Sequence, residues 1–381
     1  MFSLFVNPFP TIIIPHRLFH MTTSPPRKQV LVLYTGGTMG MRPDEDGALK
    51  PKPGFLTAKI PQCEELLQSN MPSIVVEEFD PLLDSSDMGP EDWIKIAEKI
   101  GNAYLDYDGF VVIHGTDTMA YTASALSFMF TNLSKPVVLV GSMLPFGYVN
   151  SDARRNCIAA IQTAGCCSDM LPEVCIFFND RLFRGNRTTK VNSMSFSAFE
   201  SPNMSPLMTM GTSPVFNNQI ILPIPKGRFA LNTVLETKIV AVHLVPGFAD
   251  IEPFVNSNVK GVVLILYGTG NAPSRRTPFV NWVKQMIDNG IMVVACSQCL
   301  QGRVEFDQYA VGKRLQDAGV ISAVDMTVEA AVTKMAYLLP IGLPPLELKI
   351  AFQTSLRGEL SETNGLNPFH SNNESSVVGR L

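Results

Sequence analysis

The chain has 381 residues, with 30 Lys and Arg against 34 Asp and Glu and a net charge of −4. At roughly 150 residues per domain that length predicts two domains, and 46% hydrophobic with 17% charged residues is a globular composition, not a disordered one. The slight acidity leaves no electrostatic footprint for nucleic acid or an anionic membrane, no apolar run reaches the roughly 18 residues of a spanning helix, and seven thinly spread cysteines do not form a secreted disulfide framework.

Residues 1–20 contain no acid and one arginine, Arg17. Pro8, Pro10 and Pro15 break the apolar stretch that a secretory signal needs, and Arg and Ser are too few for a transit peptide. The segment reads as a disordered extension, with Met21 as a possible start; organelle targeting is the weaker alternative. Folding signals begin at Gln29. Residues 30–34 (VLVLY) form a continuous β-rich run that ends at Gly36-Gly37, as a strand covered on both faces does. Residues 42–54, with three prolines and two glycines, read as a long loop, functional or disordered.

Strand and helix signals then alternate. Strands are predicted over 74–79, 109–114, 136–140 and 174–178. Helices are predicted from Gly89-Pro90 onwards, over 118–132 and over 152–164. Pattern is lost from about 201 to 231, where five prolines mark a linker. Alternation restarts at 238–244 and continues through strands at Gly261 and 291–295 and helices over 279–289 and 328–339. Such alternation predicts an α/β fold with a parallel sheet, on which ligands sit at the carboxyl ends of the strands.

Three polar clusters follow strand or helix-opening signals. In Thr35-Gly36-Gly37-Thr38-Met39-Gly40 the glycines permit a sharp turn that turns N–H groups toward a ligand. Neither a phosphate-loop ending nor a dinucleotide spacing is present. What remains is a threonine beside an anion-friendly nest, or a simple capping turn. Asp84-Ser85-Ser86-Asp87 reads as a cradle for a small zwitterion or as ordinary N-capping. His114-Gly115-Thr116-Asp117-Thr118 puts a threonine and an aspartate at a strand end, and His114 reads as packed rather than as a base. A basic stretch, 181–190, is a solvated loop or a source of an amine that activates a hydroxyl or a water, and its spacing does not decide between them. Cys296-Ser297-Gln298-Cys299 reads as buried thiols, since no second pair completes a zinc site and the five histidines are scattered.

Together these segments resemble the L-asparaginase family, in particular its bacterial-type cytosolic (type I) branch. The resemblance spans about residues 28–362. It is carried by YTGGTMG (34–40), PLLDSSDM (81–88), GFVVIHGTDTMAYTASALSF (109–128), FRGNRTTK (183–190), YGTGNAP (267–273) and DMTVEAAVTK (325–334). It implies an asparaginase/glutaminase-like fold of two α/β domains. The larger N-terminal domain (28–212), built on a mainly parallel sheet, is followed by a linker (213–236) and a smaller C-terminal domain (237–362). Segments 1–27 and 363–381 are left as extension and tail.

The resemblance also implies roles. Thr38 is the expected nucleophile on the side-chain amide of L-asparagine. Thr116, with Lys190 and Asp117, is expected to serve the other half of a double displacement. Asp117 is expected to hold the substrate α-ammonium, Ser85 its α-carboxylate, with Asp84 and Ser86 lining the pocket. Asn271 is expected from a neighbouring subunit of a homodimer or homotetramer, in a cytoplasmic enzyme that needs no metal or cofactor. Two departures stand out. The loop after Thr38 lacks the tyrosine that many members place there, with Ala48 near its position, so Tyr309 is the candidate substitute. Ile265 stands where an arginine holds an activating asparagine in some type I members, which predicts weak or absent activation and hyperbolic kinetics. A broader glutaminase-asparaginase, a tRNA amidotransferase subunit, a non-catalytic amino-acid sensor and a Cys-x-x-Cys redox protein are the alternatives. The sensor should lack Thr38, Thr116, Asp117 or Lys190, and all four are present.

Overall fold

A computed structural model describes residues 27–247, 250–273 and 278–362. The expectations for the N-terminal extension and the C-terminal tail fall outside these residues. The large sheet uses β1 (Gln29–Gly36), β2 (Ser73–Leu83), β3 (Gly109–Ile113), β4 (Val137–Val140), β5 (Val174–Phe178), β6 (Arg181–Arg184), β7 (Met208–Met210) and β8 (Pro214–Phe216). Its strand order is β8-β7-β6-β5-β4-β3-β1-β2. Strands β2, β1, β3, β4 and β5 run parallel to one another, and β6, β7 and β8 add antiparallel pairings at the β5 edge.

Because β1 lies between β2 and β3, the chain reverses its winding direction there. In open α/β sheets ligands bind at that switch point, beyond the carboxyl ends of the strands. The alternation within β1 explains why it can be central. Val30, Val32 and Tyr34 enter one apolar cluster with Cys157, Ala160 and Ile161 of helix α3 (Ala153–Cys166). Leu31 and Leu33 enter the opposite cluster with α1 (Pro90–Asn102) and α2 (Met119–Met129). A strand buried on both faces has no polar side to show.

A second, all-parallel sheet contains β9 (Ile239–His243), β10 (Gly261–Leu266), β11 (Met292–Ser297) and β12 (Ile321–Ser322) in that order. Helices α4 (Phe279–Asp288), α5 (Ala310–Asp317), α6 (Val328–Leu338) and α7 (Pro345–Gln353) complete this lobe. Phe128 of α2 belongs to its core and stacks on Tyr337 of α6, ring centroids 6.2 Å apart, so the lobes share apolar packing.

Three local readings change. Residues 42–54 hold a β-hairpin, Met41–Pro43 paired with Leu49–Pro51, instead of a structureless loop. Its turn is tied by Asp44, which accepts from the backbone N–H of Asp46 and Ala48 and pairs with Lys50 at 2.7 Å. The basic stretch is not a solvated loop either. Asn179 and Asp180, both at positive φ, make a two-residue hairpin turn that sends β6 back along β5. Finally, β7 and β8 place part of the proline-rich segment in the large sheet, and Ala230–Leu231 pairs with Phe130–Thr131. Among the described residues no helix is long and apolar enough to cross a membrane.

Candidate active site

The loops after β1, β2 and β3 meet at the switch point. Gly36 pairs with Leu83 at the end of β2. Gly37 takes φ +89, and a Cβ there would stand 2.5 Å from both the nitrogen and the Cα of Gly115. Gly115 is equally confined, since its own Cβ would lie 2.4 Å from Ser85 Oγ. Only glycine allows these approaches, and they bring the neighbours of Thr38, Ser85 and Thr116 into contact. Thr38 opens a short 3₁₀ turn, partly exposed, directly after this crossing.

Ser85 and Thr116 are buried, whereas Asp84, Ser86 and Asp117 are exposed. Asp84 accepts from the backbone N–H and the hydroxyl of Ser86, both at 2.9 Å, which fixes the turn that carries Ser85. Thr118 donates to the Ser85 carbonyl at 2.7 Å and ties the second loop to the third. Lys190 reaches in from the short strand Thr189–Lys190, paired with Phe199–Glu200. Its Nζ donates to Thr116 Oγ1 at 2.8 Å and to Asp117 Oδ1 at 2.6 Å. Sequence distance between these partners exceeds 70 residues, so the cluster is purely tertiary.

His114 is sealed and bridges the Gly115 carbonyl (2.6 Å) and Thr122 Oγ1 (2.9 Å). Burial, opposed by the backbone bond, lowers its pKa to about 4. It is a neutral packing residue, in line with its sequence context. Chemically, the arrangement offers two hydroxyls at one strand-end crevice, one of them beside an ammonium. An ammonium at hydrogen-bond distance favours the alkoxide form of a hydroxyl.

Tyr309 and Asn271 do not join this cluster within the chain. Tyr309 is 55% exposed ahead of α5, and no hydrogen bond links its side chain to Thr38, Thr116 or Lys190. Asn271 closes a tight backbone turn with Tyr267 in the second lobe. In the Cys-x-x-Cys, Cys296 is buried with its thiol pushed up to about 12, whereas Cys299 is exposed, against the expectation of two buried thiols. All seven cysteines are free, and no group of three or more potential metal ligands occurs among the described residues.

The charges that hold Lys190's arm do not stand out in the sequence. Arg184 and Arg187 read there as part of a solvated basic run, yet both are buried. Arg184 pairs with Glu173, and Arg187 makes two bonds to Asp325, at 3.0 and 2.9 Å. Burial would raise the Asp325 carboxyl, but Arg187 and Ser361 hold it below its usual range. A basic residue placed every third position beside a two-residue turn is the available signal, and it identifies no partner by itself.

Residues 29–222 match the family described as "Asparaginase, N-terminal", and residues 238–352 match "Glutaminase/Asparaginase C-terminal domain". The chain is 44% identical over 337 residues to L-asparaginase 1 of Escherichia coli K12, covering 88% of this chain and 98% of that protein. It is 39% identical over 362 residues to the 60 kDa lysophospholipase of Mus musculus, covering 88% of this chain and 63% of that one. Among solved structures, L-asparaginase I from Vibrio cholerae superposes with a TM-score of 0.80 at 41% identity, covering 88% of this chain and all of that one.

Proposed function

Since this chain belongs to the asparaginase family, we propose that it hydrolyses the side-chain amide of L-asparagine to L-aspartate and ammonia with Thr38 as nucleophile. It is an amidohydrolase acting on a linear amide C–N bond. The observation that carries the finer reading is the Thr116–Lys190–Asp117 cluster, set where the loop of Thr38 crosses Gly115.

In the first half, Thr38 Oγ forms a C–O bond to the amide carbon. The C–N bond then breaks, and the hydroxyl proton leaves on ammonia. The backbone N–H of Thr116 faces the developing oxyanion, and one such donor is worth roughly 3 to 4 kcal/mol. In the second half, water attacks the aspartyl ester, the Thr38 Oγ–C bond breaks, and the proton taken from that water passes by way of Thr116 to Thr38 Oγ. Lys190 beside Thr116 favours the ionised hydroxyl that draws a proton from that water. Ser85 receives the substrate α-carboxylate and Asp117 its α-ammonium, with Asp84 and Ser86 at the rim. Exposure of Asp117 keeps it ready for an incoming charge.

Asn271 fits this scheme as a contribution from a second copy, in a homodimer or homotetramer, and Tyr309 as the stand-in for the missing loop tyrosine. A cytoplasmic enzyme without metal or cofactor is the setting we infer. The chain spans 63% of the lysophospholipase relative, so that protein's named activity is not carried over. Ammonia release from L-asparagine and L-glutamine, in wild type and Thr38→Ala, tests the reading. Turnover of asparagine that vanishes in the variant supports it. Wild-type turnover that survives in Thr38→Ala overturns the nucleophile, and no turnover of either amide by folded protein favours a sensor.

A further inference from the structure

Lys190 belongs to the large-sheet side of the molecule, and the arm that carries it is tied there by the Arg184–Glu173 pair, yet a series of its side chains also crosses to the second lobe. Arg184 donates to the Gly358 carbonyl at 3.3 Å, and Asn186 donates to the Arg357 carbonyl at 3.0 Å. Arg187 holds Asp325 and the Glu359 carbonyl. The last link before the lysine is Thr189, whose Oγ1 donates to Glu329 Oε1 at 2.7 Å. Neither hydrogen bond of Lys190 itself goes to the second lobe; both go to Thr116 and Asp117.

Glu329 sits in the first turn of α6, just after the Thr327 N-cap, and is 9% exposed. A buried carboxyl has to be satisfied or it costs free energy, and here the hydroxyl adjacent to the lysine does so across the lobe boundary. We propose that Glu329 is a positioning residue: through Thr189 it fixes the backbone from which Lys190 projects, and so sets the Nζ–Thr116 contact. The two-residue strand Thr189–Lys190 has only Phe199–Glu200 to pair with, so it is not rigid by its own ladder. A cluster that depends on hydrogen bonds of 2.6 to 2.8 Å does not tolerate drift at its root.

The inference rests on the catalytic reading of Lys190, and the test separates the two. Steady-state kinetics with L-asparagine and thermal melts are measured for Glu329→Ala, Glu329→Gln, Thr189→Val, Thr189→Ser and Lys190→Ala. The expected result is a kcat about 10- to 100-fold lower in Glu329→Ala and Thr189→Val, with KM within about twofold. Glu329→Gln and Thr189→Ser keep an acceptor and a donor respectively, so they stay near wild type. A structural role alone would lower Tm without this kcat-only pattern and without rescue by the conservative variants. If Lys190→Ala is inactive while folded Glu329→Ala and Thr189→Val keep wild-type kcat, the positioning role is overturned and the catalytic reading stands. Glu329→Gln as impaired as Glu329→Ala overturns it too. If Lys190→Ala retains activity, the catalytic reading itself falls. Should Glu329→Ala fail to fold, the Thr189 pair decides alone.

Discussion

Two lysines in this molecule reach a carboxylate in opposite surroundings. Lys190 meets Asp117 and Thr116 at the switch point, with side chains 16% and 68% exposed for the ion pair. Lys334 of α6 and Glu359 pair with both side chains at 0% exposure. An ammonium has three donors. Those of Lys334 are all engaged, by Glu359 and by the carbonyls of Phe352 and Thr354 at 2.7 and 2.6 Å. Glu359 in turn accepts from the backbone of Leu356 and Arg357. Burial drives the Lys334 pKa down against the opposing pull of Glu359, while that pair and its backbone bonds hold Glu359 below its usual range despite burial. Two of Lys190's donors are engaged, and its carboxylate partner faces solvent. The same pair of groups closes a chain segment in one region and leaves capacity for a ligand in the other.

The sharpest test of that contrast removes each lysine. Thr38→Ala and Lys190→Ala are expected to lower kcat by about 10⁴-fold or more, with melting temperatures within a few degrees of wild type. Ammonia release and calorimetry check this. Lys334→Met is expected to do the reverse. It strands a buried carboxylate, which costs about 3 to 5 kcal/mol, while kcat measured on folded protein changes less than about threefold. Equal activity losses in both lysine variants would break the comparison.

A smaller effect follows from His114. Its pKa is about 4 in the folded chain, against 6.5 for the free side chain. Between those values the unfolded chain binds more protons, so folding stability rises with pH and the full benefit is present above pH 6.5. Acidification from pH 6.5 toward 4 should remove on the order of 3 kcal/mol through this group. Melts of wild type and His114→Gln at matched pH isolate the term, because the other titrating groups are common to both. The expected outcome is a shallower loss in the variant; parallel curves contradict it. The smallest expected effect is at Cys299, exposed and unpaired. Cys299→Ser should leave kcat within about twofold, with hyperbolic asparagine saturation in both proteins. A sigmoid in wild type would show that Ile265 does not prevent activation.

Much of the candidate site is legible in the amino-acid sequence. Thr38, Ser85, Thr116 and Asp117 each follow a strand signal, and parallel strands deliver such residues to one edge. Lys190 can be named only through family resemblance, because a cation in a basic run does not declare its partner. The hairpin after Thr38 escapes a reading by pattern because prolines at positions 43, 51 and 53 mask its short strands, while Asp44, which ties the turn, lies inside a charged run. Arg184 and Arg187 escape it because a cation looks solvated until its carboxylate is found far along the chain.

Local sequence by itself determined the alternation of strands and helices. Continuous apolar runs such as those of β1 and β3 cannot be stable except between two covered faces. It also determined the glycines at 37 and 115, which no other residue replaces at so close a crossing. Tertiary structure alone decided which charges are buried and paired, and therefore which lysine is free to act. Partners such as Lys190 and Thr116, or Arg187 and Asp325, lie 74 and 138 residues apart. Desolvation and hydrogen bonding depend on neighbours in space, and a residue's own stretch of chain does not contain them.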